Sequence, residues 1–152
     1  MTIKERIDVD YIAAYKAKDI TAKTALSSIK AAITIAFKSN GTWVATDDEI
    51  IKIINKGIKQ REESIKMYET AGRQELVDKE RDEMEVLKKY MPAQMSYDEI
   101  SNELIIILQE IAQTVKNPQA LVGKTIGEFN KRHQGKADVG TVKEILAKLV
   151  EV

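Results

Sequence analysis

Two amphipathic helical stripes, joined at a glycine and stopped by a proline, constrain this chain more than any other feature. Ile50, Ile54, Ile58, Ile65 and Tyr68 recur at the spacing that keeps side chains on one face of a helix. Thr70-Ala71-Gly72 then ends that helix, because glycine accepts the left-handed conformation that closes a C-terminus. The departing segment repeats the pattern with Leu76, Met84, Leu87 and Met91, and leaves Lys79, Arg81, Asp82, Glu83 and Glu85 mostly outside the stripe. Pro92 stops it by disfavouring helical geometry in the residue before it. Ser96-Tyr97-Asp98-Glu99 has the spacing of a capping box and starts a new helix. The stretch therefore predicts an antiparallel helical hairpin followed by a hinge.

The words inside this hairpin resemble the YqeY family. The resemblance is carried by Lys59-Gln60-Arg61-Glu62-Glu63-Ser64-Ile65, by Ala71-Gly72-Arg73-Gln74-Glu75-Leu76, by Lys79-Glu80 and by Glu85-Val86-Leu87. It continues through Tyr90-Met91-Pro92-Ala93-Gln94-Met95-Ser96, where Met91 and Met95 stand for the family's usual leucines at similar volume.

Composition narrows the class. With 43% hydrophobic and 32% charged residues over 152 positions, the chain is globular and large enough for one ordinary domain or two small ones. It has no cysteine, so disulfides, thiolate metal sites and a cysteine nucleophile are excluded. The acidic and basic opening residues carry no secretory pattern, and the longest apolar run, Leu104 to Leu108, is too short to span a bilayer. These features lead to the expectation of a cytoplasmic protein without a membrane partner.

Elsewhere the chain is helical throughout. A first helix is expected over about residues 2–17, with Ile7, Tyr11, Ala14 and Tyr15 inward. Asp19 or Thr21 caps a second, striped by Leu26, Ile29, Ile33 and Phe37 and ended at Ser39-Asn40-Gly41. Trp43, the single tryptophan, falls in the following loop and is expected to cover a local core. Thr46-Asp47-Asp48-Glu49 is another capping box and opens the hairpin. Past the hinge, a fifth helix over about 97–113 presents Ile100, Leu104, Ile107, Leu108 and Ile111, widened by Ile105 and Ile106. Asn117-Pro118 starts a sixth, which ends near His133 and closes at Gly135. Asp138 caps a seventh that buries Val142, Ile145, Leu146 and Leu149. The expected fold is all-α, with a four-helix N-terminal domain over 1–94 and a three-helix bundle over 95–152.

The sixth helix carries a pair of glycines, Gly123 and Gly127, each costing about 1 kcal/mol against alanine in a helix interior. Such a cost implies close approach, either of a neighbouring helix backbone or of a nucleic-acid backbone or partner protein. Residues 116–143 hold six bases (Lys116, Lys124, Lys131, Arg132, Lys136, Lys143) against two acids (Glu128, Asp138), although the whole chain is neutral. Lys124, Lys131, Arg132, Lys136 and Lys143 are expected to line one rim beside the glycines.

The YqeY resemblance resumes here through Gly123, Lys124, Gly127, Gly135, Ala137, Asp138 and Val142, with Ile126 in place of methionine and Val139 displacing Gly140 by one position. This region is also similar to the C-terminal part of the B subunit of the glutamine-dependent tRNA amidotransferase, and to a region appended to some bacterial glutaminyl-tRNA synthetases. The resemblance implies a tRNA-contacting module, with the amidation chemistry carried by other domains. The candidate RNA-binding residues are Gly123, Lys124, Gly127, Lys131, Arg132, Lys136 and Lys143.

The residues themselves reveal no catalytic centre. His133 is the only histidine and reads as a helix cap or exposed cation. No serine sits in a nucleophile elbow, and Glu80, Asp82, Glu83 and Glu85 alternate with bases as on a solvated helix face. No cofactor or metal is expected. Three readings remain open: a module contacting tRNA or a tRNA-handling protein, a protein-interaction adaptor without RNA, and an amidotransferase-related carbon-nitrogen ligase using glutamine as amido donor.

Overall fold

A computed structural model describes residues 1–40 and 45–150. It is all-α, with seven helices and no strand among the described residues: α1 (Ile3–Ala17), α2 (Ile20–Asn40), α3 (Asp47–Thr70), α4 (Gln74–Lys88), α5 (Tyr97–Ile111), α6 (Pro118–Arg132) and α7 (Val139–Val150). They form two compact units, Met1–Met91 and Pro92–Val152. Trp43 lies outside the described residues.

Local chemistry sets the helix ends. Thr46 Oγ1 accepts from the Glu49 amide, and the Glu49 carboxylate reaches back to the Thr46 amide, completing a capping box. Thr2 and Glu5 do the same for α1. Asp19 accepts from the Ala22 amide and starts α2. At the hairpin turn Gly72 sits at φ 69°, the Arg73 amide donates to Tyr68 O and the Gly72 amide to Glu69 O. This double bond pattern is the Schellman closure that a left-handed glycine permits. Ser96 caps α5 from its hydroxyl, but Glu99 bonds that hydroxyl rather than the Ser96 amide, so only half of the expected box forms. Asn117 accepts from two amides at the start of α6, with Pro118 at the first helical position, and Asp138 accepts from the Thr141 amide at the start of α7.

The first unit is built around Ile7, Leu26, Ile29, Ile50, Ile54, Val77 and Leu87, all nearly or wholly buried. Gly57 marks its tightest approach: a Cβ there would lie 3.0 Å from Ile29 Cδ1 and 3.6 Å from Leu87 Cδ1. Tyr15 and Phe37, expected inward, are 61% and 50% exposed. The buried stripe of α2 stops at Ile33, one turn short of Phe37, and Tyr15 turns outward under the Lys23 ammonium, 4.7 Å from its ring. By length and composition α2 would suffice to cross a membrane, although polar residues interrupt its apolar runs. Its Ala25, Leu26, Ile29 and Ile33 are nevertheless packed in this core.

The second unit closes on Ile100, Leu104, Ile107, Phe129, Val142, Ile145 and Leu146. Ile105 and Ile106 do not widen this core; they are 38% and 45% exposed, on the part of α5 that α6 and α7 leave uncovered. Thr125 is fully buried among these groups, and its hydroxyl has no hydrogen-bond partner. A buried orphan hydroxyl keeps its desolvation cost without compensation. Thr125→Val, of nearly equal shape, is therefore expected to raise the stability of this unit by about 1 kcal/mol. Urea denaturation checks it, and a loss of stability would show that the hydroxyl is satisfied in solution.

A candidate nucleic-acid interface on the sixth helix

The buried face of α6 is set by Thr125 and Phe129, with Val122 and Ile126 half-buried beside them. At 3.6 residues per turn the opposite side consists of Ala120, Gly123, Lys124, Gly127 and Lys131, and all five are exposed. A Cβ built on Gly123 or Gly127 would meet nothing within 4 Å. Among the described residues the glycines therefore serve no helix–helix contact, which corrects the first of the two expectations for them. Gly57, not this pair, is where helices need a missing side chain. The outward side of α6 thus carries two open glycines about one turn apart, with Lys124 and Lys131 beside them on the same stripe.

Of the expected rim, Lys124 and Lys131 share this stripe and form no ion pair among the described residues. Arg132 does not belong to it. Its Nη2 lies 2.6 Å from Glu110 on α5 and its Nε 2.9 Å from Glu128, so it turns toward α5 and is neutralised. Its hydrogen bonds to those two carboxylates, Glu110 first, hold the guanidinium still further into its charged form. Lys136 stands in the turn after α6 and Lys143 on α7, both exposed.

His133 caps the C-terminus of α6, as expected, its amide donating to Phe129 O. Its ring is not exposed, however: Nε2 lies 3.0 Å from Glu103 Oε2, and the ring packs against Phe129 with centroids 4.9 Å apart. The i,i+4 spacing of Phe129 and His133 places both on one face of α6, a signal carried by the sequence itself. The turn beyond it is pinned by Gly135 at φ 73°, by Gln94 Nε2 donating to Gly135 O, and by the Met95 amide donating to Lys136 O at 2.8 Å.

The hairpin holds a charged cluster that the sequence reading placed on the surface. Arg61 Nη1 donates to both Glu80 and Glu83, and the Glu83 side chain is only 4% exposed. Arg61 continues the α3 stripe Ile54, Ile58, Ile65, and Glu83 sits in the α4 stripe between Val77 and Leu87. Opposite charges at facing stripe positions were the overlooked signal. Near the end of this unit Tyr90 donates its hydroxyl to Asp10 under the Arg6 guanidinium, and burial with that carboxylate pushes the phenol well above its usual range. Among the described residues no group of three or more His, Cys, Asp or Glu side chains is arranged to hold a metal ion.

Comparison with known proteins agrees with the hairpin and glycine signatures. An uncharacterized protein of Schizosaccharomyces pombe is 30% identical over 53 residues, which make up 35% of this chain and 43% of that protein. The matched stretch thus spans less than half of that relative. The family model described as Yqey-like protein matches residues 4–150, nearly the whole length, and the chain belongs to the YqeY family.

Proposed function

We propose that this protein is a non-catalytic module that contacts folded tRNA through the outward side of α6. The observation that carries this reading is the pairing of two open glycines, Gly123 and Gly127, with Lys124 and Lys131, which share their stripe and form no ion pair among the described residues. A sugar-phosphate backbone needs both close approach and charge neutralisation, and this surface offers both. Phosphate contacts position RNA without reading its sequence, so recognition depends on folded shape. Lys136 and Lys143 are the next exposed cations in sequence; Arg132 is not counted, since Glu110 and Glu128 already neutralise it.

Fluorescence anisotropy with folded tRNA at several salt concentrations tests the reading. Three or four phosphate contacts give a log–log salt slope of about −2 to −4. Lys124→Glu with Lys131→Glu removes about 2 from that slope, while Lys79→Glu on α4 leaves binding unchanged. Gly123→Ala with Gly127→Ala separates the two demands on the helix. It is expected to stabilise the second unit by about 1–2 kcal/mol, since alanine favours the helix and meets no atom, yet to weaken RNA binding. Equal losses from the α4 control, or no binding at low salt, reject the proposal.

A second reading, a protein-interaction adaptor, is favoured by α1. There Val9, Ile12 and Tyr15, three residues apart, are 53%, 54% and 61% exposed on one side. Protein capture abolished by Ile12→Asp but indifferent to Lys124→Glu would bring it forward.

A further inference from the structure

The second unit contains a cleft of about 620 Å³ lined by Gln94, Met95, Glu99, Asn102, Glu103, His133 and Lys136, with Ala93 beside them. Its groups are unevenly committed. Gln94 spends its amide N–H groups on Pro92 O and Gly135 O, leaving its carbonyl oxygen as an acceptor. Glu103 is fixed by His133 through one oxygen and retains acceptor capacity on both. Among the described residues the Glu99 carboxylate accepts only from the Ser96 hydroxyl, and the Lys136 ammonium has no carboxylate partner. One wall, from α5, therefore accepts hydrogen bonds, and the turn after α6 donates one. Met95 and the His133 ring supply apolar surface.

A cationic ligand would suit the carboxylates but is opposed by Lys136, and an anion meets Glu99 and Glu103. A flat neutral group with a donor edge and an acceptor edge satisfies all of them. Among the RNA bases only guanine places two adjacent N–H donors, N1–H and the 2-amino group, where one carboxylate can take both. Its O6 and N7 then face outward as acceptors, the pair that lysine recognises. Unstacked bases held by their edges against flat side chains are the usual means of reading single-stranded RNA.

We propose that this cleft receives an unstacked guanine base, with Glu103 on its N1–H and 2-amino edge and Lys136 on O6 and N7. The inference rests on the RNA contact proposed above, to which it adds a base preference that phosphate contacts do not give.

The test uses the full chain, with amide shifts followed by NMR during titration with guanosine, inosine, adenosine, cytidine and arginine. Guanosine is expected to move the amides of Glu99, Asn102, Glu103, His133 and Lys136, and to bind about tenfold or more tightly than adenosine or cytidine. Inosine, which lacks the 2-amino group, falls between. Glu103→Gln, which turns one acceptor into a donor, abolishes the preference. Should that change loosen His133 and unfold the unit, Lys136→Gln in the exposed turn still lowers guanosine affinity. Equal shifts for all nucleosides, a preference for adenosine, or stronger binding of arginine overturns the assignment. Salt-dependent binding of folded tRNA without nucleoside preference overturns the cleft and leaves the α6 contact standing. Guanosine binding without any binding of folded tRNA keeps the cleft and overturns the α6 contact.

Discussion

Arg61→Met is expected to lower the stability of the Met1–Met91 unit by about 3–5 kcal/mol, the usual cost of removing one partner from a buried charge cluster. Arg61 and Glu83 are 13% and 4% exposed at their side chains, and Glu80 is 19% exposed, so little water is available to replace the guanidinium. Methionine fills much of the same volume, which makes the loss electrostatic rather than a cavity effect. Two carboxylates that shared one nitrogen are then left facing each other across the hairpin. Glu83→Gln removes one of those charges and keeps an acceptor for Arg61, so its cost is smaller, about 1–3 kcal/mol. In Arg61→Met with Glu83→Gln the mutual repulsion is gone, and the double variant is expected to be more stable than the sum of its parts predicts. Urea denaturation followed by circular dichroism measures all three. A loss below about 1 kcal/mol for Arg61→Met would show that the cluster is solvated and contributes like a surface pair.

The helices were legible because their ends are written locally. Thr46 with Glu49, Asn117 with Pro118, Asp138, and Gly72 each act on amides or carbonyls within a few residues, so sequence distance and spatial distance coincide. The stripes of α3 and α5 were legible for the same reason, since one helix face is a local period. What was lost depends on the partner helix. Glu83 follows the pattern of a solvated acid until Arg61, 22 positions earlier, is seen to face it. Arg132 looks like a free cation until Glu110, also 22 positions away, takes it. His133 is legible as the cap of α6, but not that Glu103, 30 positions earlier, holds its ring nitrogen.

The glycine pair shows the same limit from the other side. Spacing placed Gly123 and Gly127 on one face of α6 but carried no information on whether that face meets another helix. The cost of glycine in a helix interior is similar in both cases. Only the empty space above them separates the two. Gly57, which the sequence reading passed over, has Ile29 and Leu87 against it and is the residue of close packing.

Phe129→Ala is expected to remove about 3–5 kcal/mol from the Pro92–Val152 unit, as large-to-small changes at buried aromatic positions do. Phe129 is 1% exposed, lies among Ile100, Leu104, Ile107 and Ile145, and carries the His133 ring against its own. A unit of roughly 60 residues has little stability in reserve, because it buries a smaller share of its surface than a larger domain does. The loss therefore approaches the whole stability of this unit. We propose that the two units fold separately, and this substitution distinguishes that arrangement from a single cooperative fold. If they do, the helical signal of α5, α6 and α7, with 15, 15 and 12 residues, disappears at ambient temperature, while the transition of the α1–α4 unit keeps its midpoint. Arg61→Met then gives the mirror result, shifting the other transition alone. Limited proteolysis supplies an independent reading: cleavage of the unaltered chain between Tyr90 and Tyr97 should release a 96–152 fragment that remains helical. A Phe129→Ala variant in which both transitions move together would show one cooperative unit, and the Pro92 hinge would then be a bend within it rather than a boundary.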